Sequence, residues 1–336
     1  MNRVVLLGVK GGPSIRAKGA MPTSSLIELD GRRIVVDCGL GVTRGLVEAG
    51  VDLKTLDVIL LTHLHSDHVV DLGSLALFGM MGLTQTPGES IGIFGPGDRK
   101  LLPPVSPRAA NPPVPLFPDA PTPGTRAMFE ALMRAHATDL NDRVLDSLRP
   151  TPFDYFNAVD IAIPEAVGFN ANDRPTPDME PFAVYEDDVV RVTAILVEHP
   201  PIAPAFAYRF DTDEGSVVVS GDTCRTPNMI RIAENADVLL HEAIDFDWVE
   251  SLYADRSDDV GRAMLDHHHK SHTSPRGAME IAEAAGARHL ALHHLVPGTT
   301  PIDVWYRDRG SFSGEFSIPY DLDVIPVGGS RAVITI

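Results

Sequence analysis

Cysteine is scarce in this chain, which has only Cys38 and Cys224 among its 336 residues. Two cysteines cannot form the disulfide framework of a small secreted domain, and they cannot supply a thiolate-rich metal site. Two small buried residues are the simplest expectation, with a single bridge between them as the alternative. The cysteine content therefore predicts a cytoplasmic protein, and a chain of this length can bury a large core.

Long apolar runs are also missing. The apolar stretch near the N-terminus, residues 3–8, is too short for the hydrophobic region of a signal peptide, and it predicts a first β-strand instead. A hydrophobic fraction of 44% and a mean hydropathy of +0.02 fit a globular protein in water. We therefore expect no association with a membrane.

Positive charge is the third shortage. The chain has 28 lysines and arginines against 46 aspartates and glutamates, which gives a formal net charge of −18. Nucleic-acid binding relies on lysine and arginine side chains that neutralise phosphates, and no basic run is present. The charge balance therefore argues against nucleic acid and predicts a small-molecule substrate.

Histidine, by contrast, is concentrated in the stretch LTHLHSDH, which contains His63, His65, Asp67 and His68. The apolar run 58–61 just before these residues predicts a buried strand, so the four side chains would lie at its carboxyl end. Imidazole and carboxylate ligands suit Zn²⁺, and they leave Mn²⁺ or Fe²⁺ as alternatives. The spacing H-x-H-x-D-H predicts a metal site that serves two ions.

One such cluster cannot complete two coordination spheres, so further ligands are expected after later strands. The candidates are His199, Asp222 within Ser-Gly-Asp-Thr, and one member of the pair His293 and His294. For His199 and Asp222 the alternative is an ordinary polar turn residue. We expect a dinuclear centre assembled from several strand ends.

The predicted strands occur in two clusters, each followed by helices. The chain opens with a β-meander whose hairpin turn is Asp30–Gly31. A later helix, Pro275–Ala285, has Ser274 as its N-cap and Gly286 at its end. Two similar halves of this kind predict an α/β fold, a four-layer αββα sandwich that forms a single domain over residues 1–336.

The segment 97–183 differs in composition from the rest, because it holds more than half of the 28 prolines. Proline removes a backbone donor and fixes φ, so the first part of the segment should be irregular. One helix is predicted at Gly124–Ala137, with His136 packing or exposed rather than binding metal. We predict an inserted lid, substrate wall or dimerisation segment, and this apolar insertion makes a homodimer plausible.

The H-x-H-x-D-H spacing resembles the signature of the metallo-β-lactamase superfamily, and the resemblance covers roughly residues 1–97 and 184–300. It implies the four-layer fold and a metal-bridging hydroxide as the nucleophile. By this resemblance Asp222 bridges both metals, and His294 is the C-terminal ligand because the last strand of the family ends in apolar-x-His-apolar. The remaining ligands divide between the two metals as His63, His65 and His199 for the first, and Asp67, His68 and His294 for the second.

The resemblance also suggests catalytic residues outside the metal set. His272 lies where the ribonuclease Z-like group carries a histidine that donates a proton or stabilises an oxyanion, and Glu242 matches its acidic partner. Asp67 is assigned a catalytic role as well as a ligand role. The triple histidine at 267–269 shows that histidine is locally common, so an exposed loop histidine is the alternative for His272.

The residue at position 65 distinguishes two branches of the family that this chain resembles. The di-iron flavoproteins of that family have glutamate where this chain has His65. Histidine at this position favours hydrolysis over redox chemistry. Residues 204–223 and 236–243 look most like the arylsulfatase-like subgroup beside ribonuclease Z. The resemblance thus implies a dinuclear zinc hydrolase that cleaves a small ester such as an aryl sulfate, a phosphoester or a lactone.

Two alternatives rank below the small-ester hydrolase. One is a tRNA 3′-end processing endonuclease of the ribonuclease Z kind. That group carries its RNA-binding arm between the third histidine and the bridging aspartate. In this chain the interval from His199 to Asp222 has room only for a short hairpin. The other is a non-catalytic scaffold, which is disfavoured because every expected ligand is present.

Overall fold

The computed structural model describes residues 2–14, 19–82, 90–256 and 258–328 of the protein. The first half of the chain forms two kinds of element. Its strands are β1 (Arg3–Gly8), β2 (Ser24–Leu29), β3 (Arg32–Val36), β4 (Val58–Leu60), β5 (Ile91–Pro96) and β6 (Phe156–Ile161). Its helices are α1 (Val42–Glu48), α2 (Ser66–Val69), α3 (Leu72–Gly82), α4 (Thr125–Ala135), α5 (Ala137–Leu145) and α6 (Pro152–Tyr155).

The second half has the same make-up. Its strands are β7 (Phe182–Glu186), β8 (Arg191–Leu196), β9 (Phe206–Thr212), β10 (Gly215–Val219), β11 (Val238–Ile244), β12 (His289–Val296), β13 (Glu315–Ser317) and β14 (Val324–Pro326). Its helices are α7 (Pro227–Ile232), α8 (Phe246–Tyr253), α9 (Asp259–Ser271), α10 (Pro275–Ala285) and α11 (Ile302–Tyr306).

The strands form two seven-stranded sheets with related plans. The first has the order β14-β1-β2-β3-β4-β5-β6, and the second has the order β13-β12-β11-β10-β9-β8-β7. In the first, β1 to β3 form the predicted antiparallel meander, after which β4 to β6 continue in parallel. In the second, β7 to β10 are antiparallel, and β11 to β13 continue in parallel. Parallel strands end at one edge of a sheet, which is where α/β proteins place their sites.

The main core lies between the two sheets. It joins side chains of the first sheet, such as Leu6 and Ile34, to side chains of the second, such as Phe206 and Tyr208, and all four are fully buried. A second cluster packs α1, α3 and α4 on the outer face of the first sheet. Helices α7 and α10 pack against strands of the second sheet. The predicted αββα sandwich is confirmed.

Helix α10 shows how closely local sequence rules apply in this fold. The Ser274 hydroxyl accepts a hydrogen bond from the Gly277 N–H, Pro275 occupies the first turn, and Gly286 ends the helix with φ of 65°. Each position has the residue that its backbone geometry favours. The predicted helix and the observed helix coincide at Pro275–Ala285.

The Pro-rich segment is more closely tied to the sheets than its composition indicates. Residues 97–124 are irregular, as predicted, and α4 begins at Thr125. However, the interval 97–183 contains the whole of β6, an edge strand of the first sheet that pairs with β5. It also contains the start of β7, an edge strand of the second sheet that pairs with β8. An edge strand of this kind buries only one face, so its hydrophobic pattern in the sequence is weak. The nearby prolines make that pattern harder to recognise. A lid or dimerisation role for this segment stays a prediction.

Two simpler expectations concern the thiols and the membrane. Cys38 and Cys224 are both free, so the bridge left open by the sequence does not form. Among the helices that the structure describes, none is both long enough and apolar enough to cross a membrane.

Candidate metal centre

The histidine-rich stretch lies at the carboxyl end of β4, as its sequence predicts. After Leu60 the chain leaves the sheet, His65 forms the N-cap of the short helix α2, and α2 carries Asp67 and His68. His63, Asp67 and His68 are buried, whereas His65 is partly exposed. This local fold turns four adjacent side chains toward the second sheet.

The second sheet contributes three more side chains from three different strands. His199 follows β8, and Asp222 follows β10. Gly221 precedes Asp222 with φ of 59°, and a Cβ at this glycine would come within 2.8 Å of the Phe206 carbonyl oxygen. Only glycine fits such a turn without strain, and the turn points Asp222 into the site.

A bulge in β12 decides between the two adjacent histidines. Glu242 pairs with His293 and Ala243 pairs with Leu295, so His294 has no partner in the β11–β12 ladder. His294 has φ of 47°, a left-handed conformation that is uncommon for a histidine. Bulges redirect side chains near functional sites. His294 thereby enters the site, and His293 is buried next to it in the strand.

The seven side chains form two groups whose possible ligand atoms lie within 4.8 Å of one another: His63, His65, His199 and Asp222 in one, and Asp67, His68 and His294 in the other. In the first group His65 Nδ1 is 3.0 Å from His63 Nε2 and 3.1 Å from His199 Nε2. Burial lowers the pKa of His63 and of His199 well below the ordinary value, so both rings are neutral. Neutral imidazole lone pairs that converge in this way suit a metal ion.

Asp222 joins the two groups. Its Oδ2 is 3.9 Å from His63 Nε2, and its Oδ1 is 3.3 Å from His68 Nε2 and 3.2 Å from His294 Nε2. Among the described residues, these atoms of His68, His294 and Asp222 Oδ1 have no hydrogen-bond partner although they are buried. Burying polar atoms without partners is unfavourable, and cations would supply the missing contacts. The His/Asp cluster is therefore compatible with a dinuclear metal site.

Neighbouring groups orient the rings of two candidate ligands. His68 Nδ1 donates to Asp37 Oδ2 at 2.8 Å, and His199 Nδ1 donates to the Ser271 carbonyl oxygen at 2.8 Å. In both rings the proton stays on Nδ1, which leaves Nε2 free to face the site. The sequence analysis missed Asp37, although it follows the apolar strand β3, which ends at the same edge as β4.

His272 and Glu242 lie together beside the two groups. His272 Nδ1 is 3.0 Å from Glu242 Oε1, and the same oxygen accepts the Thr223 N–H. Burial alone would lower the pKa of His272, but the Glu242 carboxylate reverses this effect and raises the pKa to about 9. The His272 ring centroid is 6.2 Å from that of His294 and 4.9 Å from that of His199. A protonated imidazole thus borders the candidate centre.

Two pockets flank the candidate metal centre, and His65 borders both. One has a volume of about 370 Å³ and is lined by Asp67, Asp222 and His294 together with Trp248 and other side chains of α8 and α9. The other, the proline-lined pocket, has a volume of about 360 Å³ and has six prolines among its lining residues, with Arg99 as its cation. The sequence analysis did not identify the wall formed by α8 and α9, because no local pattern connects these helices to the ligands. The second pocket is lined in part by residues 97–128, within the segment for which a lid or substrate wall was predicted. The arrangement leaves open space at two places next to His65.

Comparison with known proteins identifies the fold. Residues 18–79 match the family model described as metallo-beta-lactamase superfamily, and residues 130–295 match the beta-lactamase superfamily domain. A ribonuclease Z of Mycobacterium sp. (strain KMS) is 30% identical over 304 residues, which cover 90% of this chain and 86% of that protein. Another, of Mycobacterium bovis (strain BCG / Pasteur 1173P2), is 28% identical and covers 98% of this chain and 100% of its own length.

Solved structures share the same architecture at lower identity. The short form of human tRNase Z aligns with a TM-score of 0.62 at 17% identity, covering 97% of this chain and 99% of the human chain. The metallo-beta-lactamase fold protein YhfI from Bacillus subtilis aligns with a TM-score of 0.60 at 20% identity, covering 96% and 98% of the two chains. At these identities the likeness supports the fold alone.

The predicted partners need correction. The sequence analysis expected a small-molecule ester and argued against nucleic acid, and this prediction is wrong, because the curated relatives across most of the chain are ribonucleases. The error arose from the net charge, which averages over the whole surface and does not describe the field inside one metal-binding pocket. Taken together, the matched models and the relative at 30% identity show that this chain belongs to the metallo-β-lactamase superfamily, as a metal-dependent hydrolase of ester bonds with a ribonuclease Z-like sequence.

Proposed function

We propose that the protein is a ribonuclease Z-type endonuclease that hydrolyses a phosphodiester bond near the 3′ end of precursor tRNA. The observation that carries the proposal is the 30% identity to a ribonuclease Z over 90% of the chain. The chain also keeps a donor set for two metals at the strand ends, which a phosphodiesterase of this fold would need.

The proposed ligands fit zinc. Residues His63, His65 and His199 would hold one ion, Asp67, His68 and His294 would hold the other, and Asp222 would contact both. Imidazole nitrogen and carboxylate oxygen without thiolate are ordinary zinc ligands, which Mn²⁺ and Fe²⁺ also accept. When bound, the two ions would lower the pKa of a water molecule and stabilise the charge that develops on the phosphate.

The side chains around the ligands have separate tasks in this proposal. Asp67 remains ionised, because His68 and His294 hold its pKa below the ordinary value although burial opposes them, and it orients the attacking water. His272 carries a proton on the face of the pocket, and it donates that proton to the leaving oxygen. Glu242 keeps His272 protonated and correctly turned through the contact between Nδ1 and Oε1.

The position of the two pockets supports a polymeric substrate. A strand that crosses the centre needs room on both sides of the bond that is cut, and His65 has a pocket on each side. In the proline-lined pocket, Arg99 donates to the Pro201 carbonyl oxygen and to Asn172 Oδ1. No carboxylate of the described chain forms an ion pair with Arg99, so its charge is available to a backbone phosphate.

The chain differs from ribonuclease Z in one region that bears on RNA binding. Between His199 and Asp222 it has only the β9–β10 hairpin, where the resembling group carries its arm. Residues 97–124 border the proline-lined pocket through Arg99, Pro103 and Pro121. We infer that this segment forms a substrate wall and supplies part of the RNA binding for which the related enzymes use their arm.

The experiment that tests the function compares two RNAs with the zinc-loaded protein. Precursor tRNA with a 3′ trailer should be cut to release the trailer, whereas mature tRNA should not be cut. Asp222→Asn should abolish the cut, and Phe78→Ala, at an exposed site on α3, should preserve it. If the protein turns over bis(p-nitrophenyl) phosphate but leaves precursor tRNA intact, the endonuclease proposal is overturned while the hydrolase assignment stands.

A further inference from the structure

The helical hairpin formed by α8 and α9 supplies one wall of the pocket that contains the candidate ligands. Trp248, Tyr253, His267 and His268 line this pocket together with Asp67, Asp222 and His294. The two helices are joined by ring contacts, with Phe246 stacked on His269 at 4.6 Å between centroids and Tyr253 edge-on to His268 at 5.9 Å. The wall is therefore a packed aromatic surface rather than a loose loop.

The inner face of this wall is uncharged. Burial is the largest influence on His268, and it lowers the pKa of this ring to about 4, so the ring is neutral at pH 7. Within the described part of the chain, the buried Nδ1 of His268 has no hydrogen-bond partner. The pocket thus offers the aromatic side chains of Trp248 and Tyr253, which are groups that bind a flat heterocycle.

The outer face of the same hairpin carries negative charge. Exposed carboxylates occur along both helices and their connection, and they include Asp247, Glu250, Asp255, Asp258 and Asp259. The nearby cations Arg256, Arg262 and Arg307 already pair with Asp258, Asp259 and Asp247, so they offer little to a phosphate backbone that would run along the hairpin. Of the two parts of a nucleotide, the neutral base is the one that fits this wall.

We propose that the α8–α9 wall is a stacking subsite for one unpaired nucleobase next to the scissile phosphodiester. Trp248 and Tyr253 provide the stacking surface for this base. The inference rests on the proposed function and adds a requirement to it, since a base that stacks on protein must be unstacked from its own strand. The substrate therefore presents a single-stranded nucleotide at the cleavage position.

Kinetics with two short RNAs test the subsite. One RNA has an ordinary nucleotide beside the cut, and the other has an abasic ribose there. In the wild type, loss of the base should raise KM about tenfold or more, which is the range measured for removing one stacking contact. Trp248→Ala should raise KM for the ordinary RNA to a similar extent and should no longer distinguish the two RNAs, whereas Trp248→Phe should restore most of the difference.

The matched control is Phe78→Ala, which removes an exposed aromatic ring from α3 on the first sheet. It should behave as the wild type with both RNAs. If the wild type cleaves both RNAs with equal KM, or if Trp248→Ala changes kcat alone, the stacking subsite is overturned and the proposed endonuclease function is unaffected.

Fluorescence tests the subsite independently of turnover. The chain has two tryptophans, of which Trp305 is buried in the core, so quenching by a ligand in the pocket reports on Trp248. Adenosine 5′-monophosphate should quench the wild type and leave the emission of Trp248→Phe unchanged. Equal quenching of both proteins, or quenching of neither, refutes the inference. Quenching confined to the wild type supports it even if no RNA is cleaved, in which case the endonuclease proposal alone fails.

Discussion

The two sheets have the same strand plan but contribute to the site in different ways. The first sheet delivers its four candidate ligands from one stretch after β4, and the second delivers His199, Asp222 and His294 from three separate strands. In the first sheet, chain connectivity alone keeps the ligands together. In the second, the ligands meet only if the register, the Gly221 turn and the β12 bulge are all correct. The second half should therefore be the more sensitive to substitution.

The largest effect is expected where the two halves meet. Asp222→Ala removes the side chain that contacts both groups, so we expect loss of metal together with a decrease in kcat/KM of about a thousandfold or more. Metal content by atomic emission and turnover of a phosphodiester measure the two effects. If the variant kept full metal content and full activity, the two ligand groups would not need Asp222 for metal binding or for catalysis.

The next largest effect concerns His272, which follows helix α9 in the second half of the chain and is not a candidate metal ligand. His272→Gln should retain metal and lose about a hundredfold in kcat, because a positioned proton donor is removed. Steady-state kinetics on the same preparation used for metal analysis test this expectation. An unchanged kcat would eliminate His272 as the proton donor.

The His272–Glu242 pair also predicts a pH dependence of stability in the metal-free protein. The folded-state pKa of His272 is raised to about 9, above its ordinary value of 6.5. The pair's contribution to the free energy of unfolding is therefore fully present below about pH 6.5, and it is lost as the pH rises through 9. Urea unfolding should show that the free energy of unfolding decreases by up to about 3 kcal/mol over this range. His272→Gln should largely remove this pH dependence. If the free energy of unfolding of the variant decreased equally over this pH range, titration of other groups would be responsible for the pH dependence.

A smaller effect is expected for Asp37, on the first sheet. Asp37→Ala removes the carboxylate that accepts from His68 Nδ1 and the Thr62 N–H. Loss of such an orienting group lowers metal affinity by about ten- to a hundredfold. A chelator competition titration measures the change. Affinity equal to that of the wild type would mean that connectivity alone orients the ligands of this sheet.

The smallest effect on activity is expected next to the bulge. His293→Gln changes a buried side chain that the bulge keeps out of the site, so kcat/KM should stay within about threefold of the wild type, while stability falls by about 1–3 kcal/mol. His294→Gln should instead lose most activity. Equal losses in the two variants would contradict the conclusion that the bulge selects one histidine.

The part of the site that residue spacing alone predicted is the cluster after β4, whereas the later candidates came from strand ends and from the family resemblance. His63, His65, Asp67 and His68 occur within six positions, so one strand and one turn suffice to place them together. Helix α10 was predicted with its correct bounds because capping depends on a few adjacent residues. Both cases depend on interactions within one or two turns of the chain.

The parts that were missed depend on contacts between distant segments. Asp37 orients His68 across two parallel strands, and the wall formed by Trp248 and Tyr253 belongs to the pocket only because α8 and α9 fold back over it. Strand β6 completes the first sheet from within a proline-rich interval, where composition conceals a half-buried edge strand. The substrate class was misjudged because net charge carries no information about where the charges lie.

By itself, the sequence determined the fold class, the αββα layering and the chemical identity of the candidate ligands, because hydrophobic periodicity and ligand spacing are local properties. The resemblance had already assigned His294 and Asp222, and the tertiary structure supplies the physical reason, which is the bulge in β12 and the turn at Gly221. Only the tertiary structure decided that Asp37 orients His68 and that an aromatic wall closes one side of the pocket. These features arise from strand register and from contacts between distant segments, which depend on the packing of the whole fold.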